Sequence, residues 1–160
     1  MNPWKDTYYK GIYTTQTRGG LSLHFDCGIS PDLRYLFIDF SKWLRKHYQF
    51  PVHVNVYIKN CEKIMLLDKT EAYGGFRYFK QESAYIRIAA KAEMRVLQKY
   101  SLHDVYEMIL STLVHELTHY FQWINRFDQS DAESERQANY YRYRILNQYL
   151  LDSGSLDITE

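Results

Sequence analysis

The order of patterned segments predicts an α+β domain. One helix is followed by several short strands and then by two long helices, without the strand–helix alternation of a parallel doubly wound sheet. Length and composition agree with this. The chain has 160 residues, the size of one ordinary domain. Apolar types make up 46% and charged types 24%, close to the globular average, which excludes disordered and fibrous classes. No internal repeat and no Pro/Gly/Ser-rich linker divides the chain, so residues 1–160 are read as a single domain.

Residues 1–29 carry little pattern and are read as a peripheral N-terminal segment, placed to cover a cleft as a plug. Within it, Gly19-Gly20 suggests a turn between Ile12–Thr15 and Leu21–Phe25, a short hairpin. Ser30-Pro31 then supplies a capping serine and a proline at the first helical position. Leu33, Leu36, Phe37, Phe40 and Leu44 recur at helical spacing and give one apolar face through about Tyr48. From Val52 to Ile58, β-branched residues alternate with polar or amphipathic ones, the pattern of a half-buried strand. Residues 63–67 suggest another short strand. Gly74-Gly75 introduces a hairpin whose arms are Phe76–Phe79 and Ala84–Ala89, joined by Lys80–Ser83. Ser101 with Asp104 resembles a capping box and opens a helix to Ile124, with Ile109, Leu113, Leu117, Phe121 and Ile124 on its apolar side. Ser130-Asp131-Ala132-Glu133 is a full capping box and opens a last helix to about Leu151. The expected architecture is an N-terminal helix packed on a short mixed or antiparallel sheet, followed by two long helices.

Composition also narrows the partners. Net charge is +1, so there is no basic footprint and no nucleic-acid partner is expected. No run approaches the ~18 consecutive apolar residues of a membrane span. No apolar segment follows Met1–Asp6, so no secretory signal is read, and the expectation is a soluble cytoplasmic protein. Cys27 and Cys61 are too few for a disulfide framework or a four-cysteine metal site, and are read as free thiols. Aromatics reach 17%, with 16 tyrosines; packing is the first reason for them and recognition the second.

Chemistry enters through His115-Glu116-Leu117-Thr118-His119, an H-E-x-x-H motif within the strongest helical segment. Residues i and i+4 share one helix face, so both imidazoles can reach one metal ion. Zinc suits such a pair, because it takes His nitrogens at ~2.0–2.1 Å in a tetrahedral shell. Glu116 stands beside the ion but not on it, where it can take a proton from water as general base. A catalytic zinc needs a third protein ligand and an open position. No histidine follows His119, and the position six residues on is Asn125, which excludes classes with a downstream His. Upstream, His103 and His53 are weak candidates. The carboxylates on the last helix are Asp131, Glu133 and Glu135. Glu133 already has work as the returning partner of the Ser130 cap, and Glu135 has none, so Glu135 leads and Glu133 follows. Asn139, one turn beyond Glu135, can hold a ligand in place, and the small Ala138 lets the two helices pack closely.

These residues resemble a family. His115–His119 followed by a glutamate helix is similar to the gluzincin group of zinc metallopeptidases. Glu135-Arg136-Gln137-Ala138-Asn139-Tyr140-Tyr141 is similar to the E-x-x-A-N-x-F segment of ImmA/IrrE-type peptidases, and the small architecture to minigluzincins. The resemblance covers about residues 84–146. After the glutamate segment, the chain reads Arg142-Tyr143-Arg144-Ile145-Leu146, where ImmA-type chains carry small residues and Leu-Leu-Met-Pro. The resemblance implies a small zincin-like domain with zinc on His115, His119 and Glu135. It also implies that the strand before the catalytic helix, about Ala84–Ala89, is an edge that pairs with an extended substrate.

The leading expectation is a zinc-dependent peptidase, an endopeptidase acting on peptide or protein substrates with Glu116 as general base. The competing expectations are a catalytically weak or inactive binding protein of the same fold, and a structural domain whose motif is accidental. A donor to the tetrahedral intermediate is sought among Tyr140, Tyr141, Tyr143 and Tyr149, or at His103.

Overall fold

The computed structural model describes residues 1–6, 20–80 and 83–154. Helix α1, Pro31–His47, begins where the sequence places it: Ser30 Oγ accepts the Leu33 N–H at 3.2 Å. Asp32 in its first turn and Arg45, Lys46 and His47 in its last complement the helix dipole. Its apolar face is buried through Leu33, Phe37, Phe40 and Leu44.

Among the described residues six strands form: β1 Leu21–Phe25, β2 Val54–Lys59, β3 Ile64–Met65, β4 Glu71–Ala72, β5 Gly74–Phe79 and β6 Ser83–Ala89. β3 and β4 pair only with each other. The rest make one mixed sheet in the order β1-β2-β6-β5, parallel from β1 through β6 and antiparallel at β5. The β5–β6 hairpin is as the glycines and alternation predict. β1 differs: its partner among the described residues is β2, with α1 as the crossover that a parallel pair requires. The other arm expected for its hairpin, Ile12–Thr15, lies outside the described residues. β2 starts at Val54 rather than Val52, because the Tyr120 hydroxyl donates to the Val52 carbonyl and accepts its N–H. A phenol there replaces a ladder partner.

Three further helices follow: α2 Met94–Lys99, α3 Leu102–Ile124 and α4 Asp131–Asp152. Serine caps open both long ones, Ser101 Oγ accepting from Asp104 N–H and Ser130 Oγ from Glu133 N–H. α2 is unforeseen; it buries no side chain and has no side-chain cap, so it leaves no periodic trace. One core joins Val54, Val56 and Ile58 of β2 and Ala84, Ile86 and Ile88 of β6 to α1, α3 and the C-terminal half of α4. The described residues are therefore α+β, with four helices and a mixed sheet. Among the described residues no helix is long and apolar enough to cross a membrane.

The N-terminus departs from the expectation of a peripheral segment. Trp4 is buried against Tyr48 and Phe121, and its indole N–H donates to Thr118 Oγ1 at 3.0 Å. With Leu21 and Ile29 also buried, the described parts of 1–29 contribute side chains to the core.

Candidate metal centre

α3 carries the H-E-x-x-H segment and packs along α4, where Ala138 is wholly buried, as its small size suggested. His115 Nε2 and His119 Nε2 converge to 3.3 Å. From α4, the Glu135 carboxylate closes the third corner, with Oε1 2.8 Å from His119 Nε2 and Oε2 3.3 Å from His115 Nε2. Among the described residues these three form the one group of His, Cys, Asp and Glu side chains that can hold a metal ion, their ligand atoms all within 4.8 Å of one another.

The other candidates are elsewhere. Glu133 closes the Ser130 cap, with Ser130 Oγ 3.0 Å from its Oε1. His103 pairs with Glu107 on the surface at 3.1 Å, and His53 meets Ser22 Oγ at 2.9 Å in the sheet. Asp131 lines the cleft without joining the group. Cys27 and Cys61 are free thiols.

What orients the ligands differs from expectation. His119 Nδ1 meets Gln122 Oε1 at 2.9 Å and Ser134 Oγ at 3.1 Å. Gln122 is itself held: Ser134 Oγ donates to its Oε1 at 2.6 Å, and its amide donates to the Ser134 carbonyl and Gln137 Oε1. A donor role at Nδ1 leaves the Nε2 lone pair directed at the centre. Asn139 lines the cleft but takes no part in these bonds. The available signal was Gln122 itself, an amide one turn past His119 on the face that carries both motif histidines.

Glu116 is only 6% exposed, and its Oε2 has no hydrogen-bond partner among the described residues. Burial pushes its carboxyl up to about 7, against the pull of nearby His119. Burial and the neighbouring His119 hold the His115 imidazole below its ordinary value. Against Glu116 lies Gly74, at the start of β5: a Cβ there would sit 2.7 Å from Thr112 Cγ2 and 3.1 Å from Glu116 Cγ.

The centre opens into a cleft of about 1200 Å³ bordered by β5, α3 and α4. Its aromatic wall is Phe76, Tyr78 and Trp123, with the Tyr78 and Trp123 rings stacked at 5.0 Å. Among the described residues the sheet edge beside this cleft is β5, not β6. β6 is paired on both sides, by β2 and β5, and has no free edge to offer a substrate. Of the tyrosines considered, Tyr149 is buried with its hydroxyl on Asp39, and none of Tyr140, Tyr141, Tyr143 or Tyr149 lines the cleft. Arg142 does line it. No family model, no curated protein and no solved structure matches this chain.

Proposed function

We propose that the protein is a zinc-dependent peptidase with a zincin-like fold of the gluzincin type, cutting within peptide or protein chains. The observation that carries this reading is the convergence of His115, His119 and Glu135 beside the buried carboxyl of Glu116. A tetrahedral shell with ~2.0–2.1 Å bonds has donor–donor edges of about 3.3 Å, the separation of the two imidazole nitrogens. Two neutral imidazoles and one carboxylate are also the donor set of many catalytic zinc sites. Zinc bound there supplies a Lewis acid that polarises a carbonyl and makes water acidic near neutral pH.

The remaining work falls to side chains and backbone. Gln122 and Ser134 hold the His119 ring, so that its Nε2 stays a ligand. Glu116 takes the proton of the attacking water and returns it to the leaving nitrogen. β5 offers its edge to an extended peptide, and Gly74 lets the start of that strand lie close against Thr112 and Glu116.

Elemental mass spectrometry on protein purified without added metal, paired with a peptide-library assay, tests the reading. About one zinc per chain in wild type, a sharp loss in Glu135→Ala, and zinc kept but turnover abolished in Glu116→Gln are the expected results. Zinc retained in Glu135→Ala would move the third ligand, and normal turnover by Glu116→Gln would remove the mechanism.

A further inference from the structure

Arg142 stands on α4 beyond Glu135 and Asn139 and shares the cleft with His115 and Glu116. Its guanidinium is held by α3: Nε donates to Ser111 Oγ at 3.1 Å and Nη2 to Thr112 Oγ1 at 3.0 Å. Both hydroxyls donate onward to the Met108 carbonyl, at 2.6 and 3.2 Å, which leaves their lone pairs for the arginine. Two of the three guanidinium nitrogens are thus fixed on neutral acceptors. Among the described residues no carboxylate forms an ion pair with Arg142, and Nη1 has no hydrogen-bond partner. A guanidinium buried only as a tether gains most from a matching carboxylate. This one is held rigid with its charge unmatched at close range.

Its position relative to the chemistry is also defined. Its charge lowers the proton affinity of both Glu116 and His115. Thr112, one of its two anchors, is the residue against which Gly74 opens β5. Arg142, Glu116 and the start of the free edge therefore border one stretch of the cleft.

Resting on the peptidase reading, we propose that Arg142 is a catalytic residue whose Nη1 meets the negative charge developing on the substrate's carbonyl oxygen. In that step the water oxygen bonds to the carbonyl carbon, its proton passes to Glu116, and the C=O π pair moves onto oxygen. On collapse the oxygen pair re-forms C=O, the C–N bond breaks, and Glu116 returns the proton to the nitrogen. A donor fixed before the charge appears costs no reorganisation when it does, which is why such groups count for much.

The test compares wild type, Arg142→Gln and Arg142→Lys, each zinc-loaded, with zinc content and thermal unfolding recorded for all. One readout is kcat and KM on a C-terminally amidated peptide. The other is the Kd of an amidated phosphinic tripeptide, an anionic tetrahedral mimic whose binding needs no turnover. Arg142→Gln should keep one zinc, lose about 10²–10³ in kcat with KM changed little, and bind the phosphinate weaker by a similar factor. Added guanidinium should restore part of the rate, which it would not do for a residue that only ties α4 to α3. Should the Gln variant fail to fold, Arg142→Lys carries the same test, with charge kept and the fork lost. Unchanged phosphinate affinity in a folded variant overturns the proposal. So does a loss confined to KM on free-carboxylate peptides, which would make Arg142 an anchor for a chain terminus. If wild type cleaves nothing but binds the phosphinate through Arg142, hydrolysis fails and the anion site stands. If wild type holds no zinc, both readings fall.

Discussion

His119 is held by residues outside the motif that contains it. Its Nδ1 contacts Gln122 on its own helix and Ser134 on the next, and Gln122 reaches on to Gln137. Removing such a partner frees the ring to rotate and lowers ligand basicity. Gln122→Leu should therefore weaken zinc binding about 10- to 100-fold, read by competition with a chelator of known affinity. Wild-type affinity in that variant would show that Gln122 serves only to tie the two helices together. At this scale the sequence is informative where helical geometry dictates the answer. His115 and His119 must share a face, and Glu135 stands out once Ser130 accounts for Glu133. Gln122 was not found, because nothing in its spacing says that it is buried. Asn139 was favoured on spacing alone, and the amide that meets the histidine belongs to the other helix. An oxyanion donor is expected among the tyrosines crowding α4 or at His103, and none of those residues lines the cleft, whereas Arg142 on the same helix does.

At the level of elements, the decisive feature is where β5 lies. Alternation along a strand tells which side chains are buried but not which strand is its neighbour. The sequence accordingly yields the β5–β6 hairpin and the buried set Ile86 and Ile88, yet the edge was placed one strand too far inward. The glycines settle it physically. Gly74 lies so close to α3 that a methyl group would enter the space of Thr112 and Glu116. A side chain at this position would keep β5 away from α3. Gly74→Ala should thus displace Glu116 or push β5 outward while leaving the three ligand residues in place. Misplacing a catalytic group by ~1 Å costs on the order of 10² in rate, so kcat should fall by about that factor with zinc stoichiometry unchanged. Steady-state kinetics with metal analysis on the same preparation checks this. Full activity in the alanine variant would mean that β5 yields easily and does not position Glu116. The parallel pairing of β1 with β2 was the other feature beyond reach, since it rests on a contact across the whole of α1.

For the whole molecule, the long helix α3 is secured on two sides by different parts of the chain. α4 meets it with Glu135, and the extreme N-terminus meets it with Trp4, which packs on Phe121 and bonds to Thr118. Asn125 at the end of the helix donates to the Pro3 carbonyl at 3.0 Å, and Gln137 on α4 donates to the Met1 carbonyl. A single tryptophan in an unpatterned stretch has no period to reveal it, which is why this clamp was invisible in the sequence. None of Trp4, Tyr48, Phe121 or Thr118 lines the cleft, so the Trp4 contacts do not themselves touch His115, His119 or Glu135. Trp4→Ala removes a fully packed indole and should cost about 3–5 kcal/mol. For a chain of this length that lowers Tm by roughly 6–20 °C, at about 2–4 °C per kcal/mol. Zinc, gripped by ligands that only the folded state assembles, should add about 4 kcal/mol when present at 1,000 times its Kd. If the two contributions are independent, thermal unfolding monitored by circular dichroism will show the same zinc-induced rise in Tm for wild type and Trp4→Ala. It will show almost none for Glu135→Ala. A smaller rise in Trp4→Ala would mean that the clamp also sets the position of His119, next to Thr118, and that the N-terminus is part of the site.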